Sequence, residues 1–248
     1  METSKIVVDA IEFQRALTAA IAVAGGDPLD LVQFRIVGDE LVVAARSYNE
    51  AIAIEVTTNY LDVDYDRDTF FEITTGEARA LNAMKMKKED PDDELALGLL
   101  VHEIYISRTD ESGLGLGLRT VKVRRHGNPY ESVLGDVPHQ LANAARLAPT
   151  SVPPKMDGAQ WTLLGRVAKA LDTRLTVWST SEPDSATVRT HVAGDGVAMG
   201  VLCSDLSEEG LEAEAEASAA EQPQLSFNDD VSVEVSKVVA AKPPKGMA

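Results

Sequence analysis

One order of periodicities occurs twice in succession in this chain, and that repetition limits the possible folds more than any single motif. Residues 5–8 read as a short strand. Residues 11–24 then place Phe13, Ala16, Leu17, Ala20, Ile21 and Ala24 on one stripe at helical spacing, closed by Gly25 and Gly26. Three strand-like runs follow at 31–37, 41–45 and 51–57, with Gly38-Asp39 and residues 47–50 as turns. The unit is β-α-β-β-β. After an acidic connector at 61–68 the order returns: a strand at 69–73, Thr75 as N-cap of a helix over 77–87, a break at Asp90-Pro91-Asp92, and strands at 95–101, 104–107 and 114–123. Two such units make one domain of about 125 residues, an ordinary size.

A third round, beyond Asn128-Pro129, is incomplete. Residues 138–148 form a short helix with Leu141, Ala144, Ala145 and Ala148 on one face, but the strands expected after it are missing or very short. The clearest helix pattern in the chain is 161–171, with Leu164, Val167, Ala168 and Leu171 in line, and strands at 174–179, 187–192 and 197–202 follow it. Residues 205–248 lack a sustained pattern and read as a mostly disordered tail. The expected domains are therefore 1–126, a shortened 127–204, and an acidic tail 205–248.

Charge narrows the function classes. The 248 residues carry 23 Lys+Arg against 40 Asp+Glu, a formal net charge of -17. Asp205, Glu208, Glu209, Glu212, Glu214, Glu216 and Glu221 supply -7 of it with no basic residue among them, leaving -10 for the rest. A domain that coats nucleic acid with a uniformly basic surface is excluded. A ring that is acidic outside and basic only along its bore is not. Opposite each helix's apolar stripe stands at least one cation: Arg15 beside Thr18, Arg79 and Lys87, Arg146 beside His139 and Asn143, then Arg166 and Lys169 beside Thr162. Basic faces on repeated helices suggest one shared surface for an anion. Long cations are also ordinary on solvated helices, so periodicity alone leaves both readings open.

At this point the residues resemble a known family. The segment from Val32 through Arg46 to Val56 resembles the bacterial sliding-clamp segment in which a hairpin leads into an apolar strand. Residues 163–171, 175–179 and 197–204 are similar to the end of the DNA polymerase III beta-subunit family, whose last strands finish in a G-V-L-M-P type motif. Asn128-Pro-Tyr-Glu-Ser-Val-Leu134 resembles the linker between clamp domains. The resemblance covers residues 5–204 and implies an α+β DNA-clamp fold: repeated β-α-β-β-β units, helices lining a DNA-sized hole, sheets forming the outer wall, and an abbreviated second domain. It implies duplex DNA as a sequence-independent partner, faced by Arg15, Arg79, Lys87, Arg146, Arg166 and Lys169, replication proteins as further partners, and a homo-oligomer. It also implies a partner-peptide pocket at Val201, Leu202 and Cys203. Ser47 stands where the family often has Asp, and Cys203-Ser204 replaces Met-Pro. Rings of this family hold twelve units. A trimer of this chain reaches that number only if the helix over 138–148 substitutes for a full unit.

Other signals point away from catalysis. Gly113-Leu-Gly-Leu-Gly117 leads into a strand and is followed by no Lys-Ser/Thr, so it reads as a glycine-rich hairpin and not as a phosphate loop. Asp62, Asp64, Asp66 and Asp68 alternate like calcium ligands, but Arg67 occupies the glycine position and Ile73 the closing glutamate position; an acidic connector on an outer surface is the reading. Cys203 has no second cysteine, and His102, His126, His139 and His191 are scattered, so neither a disulfide nor a zinc site is expected. No nucleophile elbow or carboxylate pair is evident, and neither an enzymatic activity nor a cofactor is assigned. No apolar run reaches membrane-spanning length and the N-terminus has no leader pattern, which sets the expectation of a cytoplasmic protein without membrane contact. In the tail, Gln222-Pro-Gln-Leu225-Ser-Phe227 matches the Q-x-x-L-x-F form of clamp-binding peptides. It leaves open a second class, a clamp-like interaction protein that engages a host clamp or replication protein without encircling DNA.

Overall fold

In a computed structural model of the chain, the described residues are 3–83, 95–111, 120–128, 130–147, 154, 156–181, 188–194 and 197–202. The first unit comprises β1 (Ser4–Asp9), α1 (Ala10–Val23), β2 (Leu31–Val37), β3 (Glu40–Arg46) and β4 (Glu50–Val56), followed by a further strand, β5 (Thr58–Asp62). The second comprises β6 (Phe70–Thr74), α2 (Thr75–Asn82), β7 (Ala96–Val101), β8 (Tyr105–Asp110) and β9 (Thr120–Arg124). Then come α3 (Val137–Ala145), α4 (Gly158–Leu171), β10 (Thr176–Ser181), β11 (Val188–Gly194) and β12 (Val197–Leu202).

Local chemistry sets the boundaries. Asp9 caps α1 by accepting from the Ile11 and Glu12 amides. A reciprocal Thr74–Glu77 box starts α2, and an Asp157–Gln160 box starts α4 at Gly158, earlier than the apolar stripe suggests. The α2 cap is therefore Thr74; the Thr75 hydroxyl instead donates to the Asp30 carboxylate. Gly38, at φ 65°, takes the first central position of the two-residue β2–β3 turn.

The two units exchange their first strands. β1 pairs antiparallel with β7 of the second unit, giving the five-stranded sheet β5-β1-β7-β8-β9. β6 pairs with β2 of the first unit, in the seven-stranded sheet β10-β11-β12-β4-β3-β2-β6. The strands after α4 extend this second sheet through the β12–β4 pairing. Inward residues of both sheets, including Ile6, Leu97, Phe34 and Ile54, form one core with Phe13 and Leu17 of α1, Leu81 of α2 and Val167 of α4. Phe13, Phe34 and Phe71 stack across it, with ring centroids 5.9 and 4.9 Å apart.

The acidic connector is corrected by the structure. Its start belongs to β5, which pairs with β1, and Asp68 at its end is fully buried. Arg67, Arg125 and the Ser4 hydroxyl donate to the Asp68 carboxylate at 2.9, 2.8 and 2.8 Å. Arg125 also donates to the His102 carbonyl at 3.0 Å, so the cluster ties the loop before β6 to both β1 and the segment leaving β9. Among the described residues, no three His, Cys, Asp or Glu side chains converge as metal ligands would, and no helix is long and apolar enough to cross a membrane. Lys87 and the start of the strand expected at 114–123 lie outside the described residues.

Burial alone would raise the Asp68 carboxyl, but the hydrogen bonds from Arg67, Ser4 and Arg125 outweigh it and hold the group below its ordinary value of 3.8. A carboxyl depressed by folding contributes stability above its unfolded pKa and loses it as pH falls through the folded one. Asp68→Asn removes the negative charge facing the buried Arg125 guanidinium and the partly exposed Arg67 guanidinium and should cost about 3 kcal/mol at neutral pH. Denaturant titrations should show the difference between parent and variant shrinking below about pH 4; a constant difference down to pH 2 would refute the assignment.

Candidate nucleic-acid interface

The helix cations expected to share a surface are positioned by burial of the opposite stripes. In α1, Phe13, Ala16, Leu17 and Ala20 are buried while Arg15 and Thr18 are exposed. Ala78 and Leu81 anchor α2, leaving Arg79 exposed; Leu164 and Val167 anchor α4, leaving Thr162, Arg166 and Lys169 exposed. α1 packs against both α4 and α2, which sets the order α4-α1-α2. Two polar contacts stitch this layer: Arg15 pairs with Asp172, at the end of α4, at 3.0 Å, and the Asn82 amide donates to the Thr18 hydroxyl at 2.9 Å.

Acidic side chains on the same helices are turned toward backbone donors. Glu12 accepts from the Thr57 amide at 2.9 Å, and Glu77 accepts from the Thr74 and Arg124 amides at 3.0 and 3.1 Å. Between its caps α4 has no acidic residue. Arg166 and Lys169 form no salt bridge with any described residue. Counting the exposed Glu12 and Asp172 against Arg15, Arg79, Arg166 and Lys169, the exposed charge of the layer is net positive within a strongly acidic chain.

Arg146 does not belong to this surface. Successive strand residues point to opposite faces of a sheet: Leu41, Val43, Ile52 and Ile54 meet the core that contains α1, whereas Val42, Ala44 and Ala53 meet Val137 and Leu141 of α3. α3 thus lies across the seven-stranded sheet from α1 and α4, and carries Arg146, His139 and Asn143 with it. An apolar stripe shows that a helix buries one face, but not which side of a sheet it covers. Of the five cations within the described residues, Arg15, Arg79, Arg166 and Lys169 are exposed on α1, α2 and α4, the helices that pack side by side.

This architecture has counterparts of known structure. The DNA polymerase sliding clamp of Pseudomonas aeruginosa matches with a TM-score of 0.53 at 8% identity, over 85% of this chain and 67% of that chain. The DNA polymerase III beta subunit of Thermotoga maritima matches with a TM-score of 0.51 at 9% identity, over 80% of this chain and 64% of that one. The chain has the sliding-clamp fold. It spans about two thirds of the length of those clamp chains. No protein-family model and no curated protein sequence matches it.

On the far side of the clamp-fold sheet, the segment between β9 and α3 is fastened by a buried carboxylate that sequence reading missed. Glu72, on β6, accepts from the Val133 and Leu134 amides at 3.0 and 3.2 Å, from Gln33 on β2 at 3.1 Å, and from the Ser132 hydroxyl. The available signal was Gln33 and Glu72, each flanked by apolar residues within its strand. Beyond this anchor, Arg35 pairs with Asp136, the α3 N-cap, at 2.6 Å. A groove of about 700 Å³ lies here, bordered by Arg35, Val37, Ala53, Glu55, Pro138 and His139. The resemblance places a peptide pocket elsewhere. Val201 pairs with Glu50, at the opposite end of β4 from Glu55, and Cys203 lies outside the described residues, as do Gln222, Leu225 and Phe227.

Because Glu72 satisfies two loop amides at once, Glu72→Ala should leave them without a buried partner and cost about 2 kcal/mol. Hydrogen exchange should accelerate at Val133 and Leu134 before it does in β3. Unchanged protection at those two amides would refute the anchoring role.

Proposed function

We propose that this chain is a non-enzymatic sliding-clamp-type protein whose copies assemble around duplex DNA and hold a replication partner on it in the cytoplasm. The observation that supports the reading is the α4-α1-α2 layer, where Arg15, Arg79, Arg166 and Lys169 are exposed on helices packed side by side while Glu12 and Glu77 are turned to backbone amides. Contacts from long cations to phosphates are independent of sequence and individually weak, which suits a protein that must hold a duplex and still move along it. Residues 1–126 act as the first clamp domain, 127–204 as a shortened second one, and 205–248 as an acidic tail.

With α3 on the far side of the sheet, the described residues of each chain give three helices to the layer. The helix over 138–148 therefore cannot stand in for the missing helix of a fourth unit. Twelve inner helices correspond to four copies, and three copies supply nine. Native mass measurement should give three or more 26.6 kDa chains. A monomer at working concentration would favour the second class, a clamp-like protein that binds a host clamp or replication protein without encircling DNA.

Joint reversal of Arg15, Arg79, Arg166 and Lys169 to Glu should abolish retention on circular duplex DNA without changing the assembly mass. Retention at parental levels would refute the reading. Arg146→Glu, on the other face, should leave retention unchanged. Asp172→Ala releases Arg15 and should tighten duplex binding, steepening the dependence of log K on log salt by about 0.9 if one more phosphate is neutralised.

A further inference from the structure

The α4 face holds one group that phosphate contact does not use. Trp161 is 53% exposed, in a chain with only two tryptophans and 5% aromatic residues. The other, Trp178, is stacked on His191 with centroids 5.6 Å apart, whereas no described ring or cation covers Trp161. We propose that the Trp161 indole is a stacking platform for an unpaired nucleobase, so that the α4 face engages single-stranded or gapped DNA as well as duplex. This rests on the nucleic-acid reading of the Arg166 and Lys169 face.

The helix around Trp161 is bare where neighbouring side chains would cover the ring. Residues three before and four after lie beside it on the helix surface, and both are glycines, Gly158 and Gly165. A Cβ at either would meet nothing within 4 Å, so packing does not require glycine there. Glycine inside a helix is disfavoured relative to alanine, which makes Gly165 a departure that folding does not explain. It is explained if a planar ligand and its backbone approach α4 closely at this turn.

Charge selects the ligand. Arg166 and Lys169 are exposed on the same helix as Trp161, about 7.5 and 12 Å farther along the axis at 1.5 Å per residue and turned about 140° and 80° around it at 3.6 residues per turn. A strand that winds around this exposed side from the stacked base brings its following phosphates to both cations. An aromatic plane beside spaced cations is how proteins hold single strands without reading sequence, because every base has a π-face. A purely duplex-binding face has no use for an uncovered indole, since paired bases present no free plane.

The test uses the full chain carrying Trp178→Phe, so that Trp161 is the only tryptophan. Short oligo(dT) should quench its fluorescence, whereas an abasic phosphodiester strand of equal length should not. Trp161→Ala should weaken oligo(dT) binding at least about fivefold, the low end for one base–aromatic stack, with most of the loss restored by Trp161→Phe. Gly165→Gln, which lays a side chain beside the ring, should weaken it as well. Duplex retention on circular DNA should be unaffected by all three. Absence of quenching, or parental oligo(dT) affinity in Trp161→Ala, overturns the platform; so does a variant whose only change is a smaller assembly mass, which makes Trp161 a contact between copies. Failure of the underlying reading registers separately, as duplex retention that survives Arg166→Glu with Lys169→Glu.

Discussion

The exchange of first strands between the two β-α-β-β-β units is the constraint on which the rest of this structure depends. With β1 in the second unit's sheet and β6 in the first's, neither unit can complete its sheet alone. The Phe13–Phe34–Phe71 stack runs through that exchange, because Phe13 and Phe34 come from the first unit and Phe71 from the strand it receives. The helices consequently dock on a surface built by both repeats and lie side by side. A cation at an equivalent helix position in each repeat then reaches the same side of the molecule, and duplication of a sequence pattern becomes duplication of a charge on one face.

The elements legible in the sequence are those whose periodicity is fixed by this core. α1 and the strands β2, β3 and β4 fall within about a residue of their expected positions, since each buries a regular stripe or run. β5 was not legible: residues 58–60 carry no pattern, Leu61 and Asp62 read as the start of the acidic connector, and only pairing with β1 makes the segment a strand. Asp68 fails for a related reason. Its burial depends on Arg125, 57 residues away, and a carboxylate whose partner is that distant looks solvated in sequence.

The candidate surface was legible in its residue types and only partly in its grouping. β3 carried a clue in its run Leu41-Val-Val-Ala-Ala45, buried at every position, where a half-exposed strand would alternate. Continuous apolarity means both faces of the sheet are covered. One cover is the α1 layer; the other is α3, held in place through Glu72 and Asp136. The same physics that buries Val42 and Ala44 therefore moves Arg146 away from Arg15 and Arg166. Membership of a shared face follows from which side of a sheet each helix takes, and that depends on connections no local pattern encodes.

The chain's acidity and the basic helix face belong to one electrostatic design on the proposed reading. A protein of net charge -17 repels a polyanion from most of its surface, so association with DNA is favourable only where cations are concentrated and acids are withdrawn. The fold achieves the withdrawal by giving Glu12 and Glu77 backbone amides to satisfy, which fixes their carboxylates at loop and cap positions instead of beside Arg15 and Arg79. The Arg15–Asp172 pair works in the other direction, moderating one cation at the junction of α1 and α4. A face with few free cations binds phosphates weakly enough to exchange them, while repulsion from the rest of the surface discourages any alternative bound geometry. In the proposed ring, encirclement would supply what such weak contacts lack, because leaving a closed ring requires opening it and not merely breaking ion pairs.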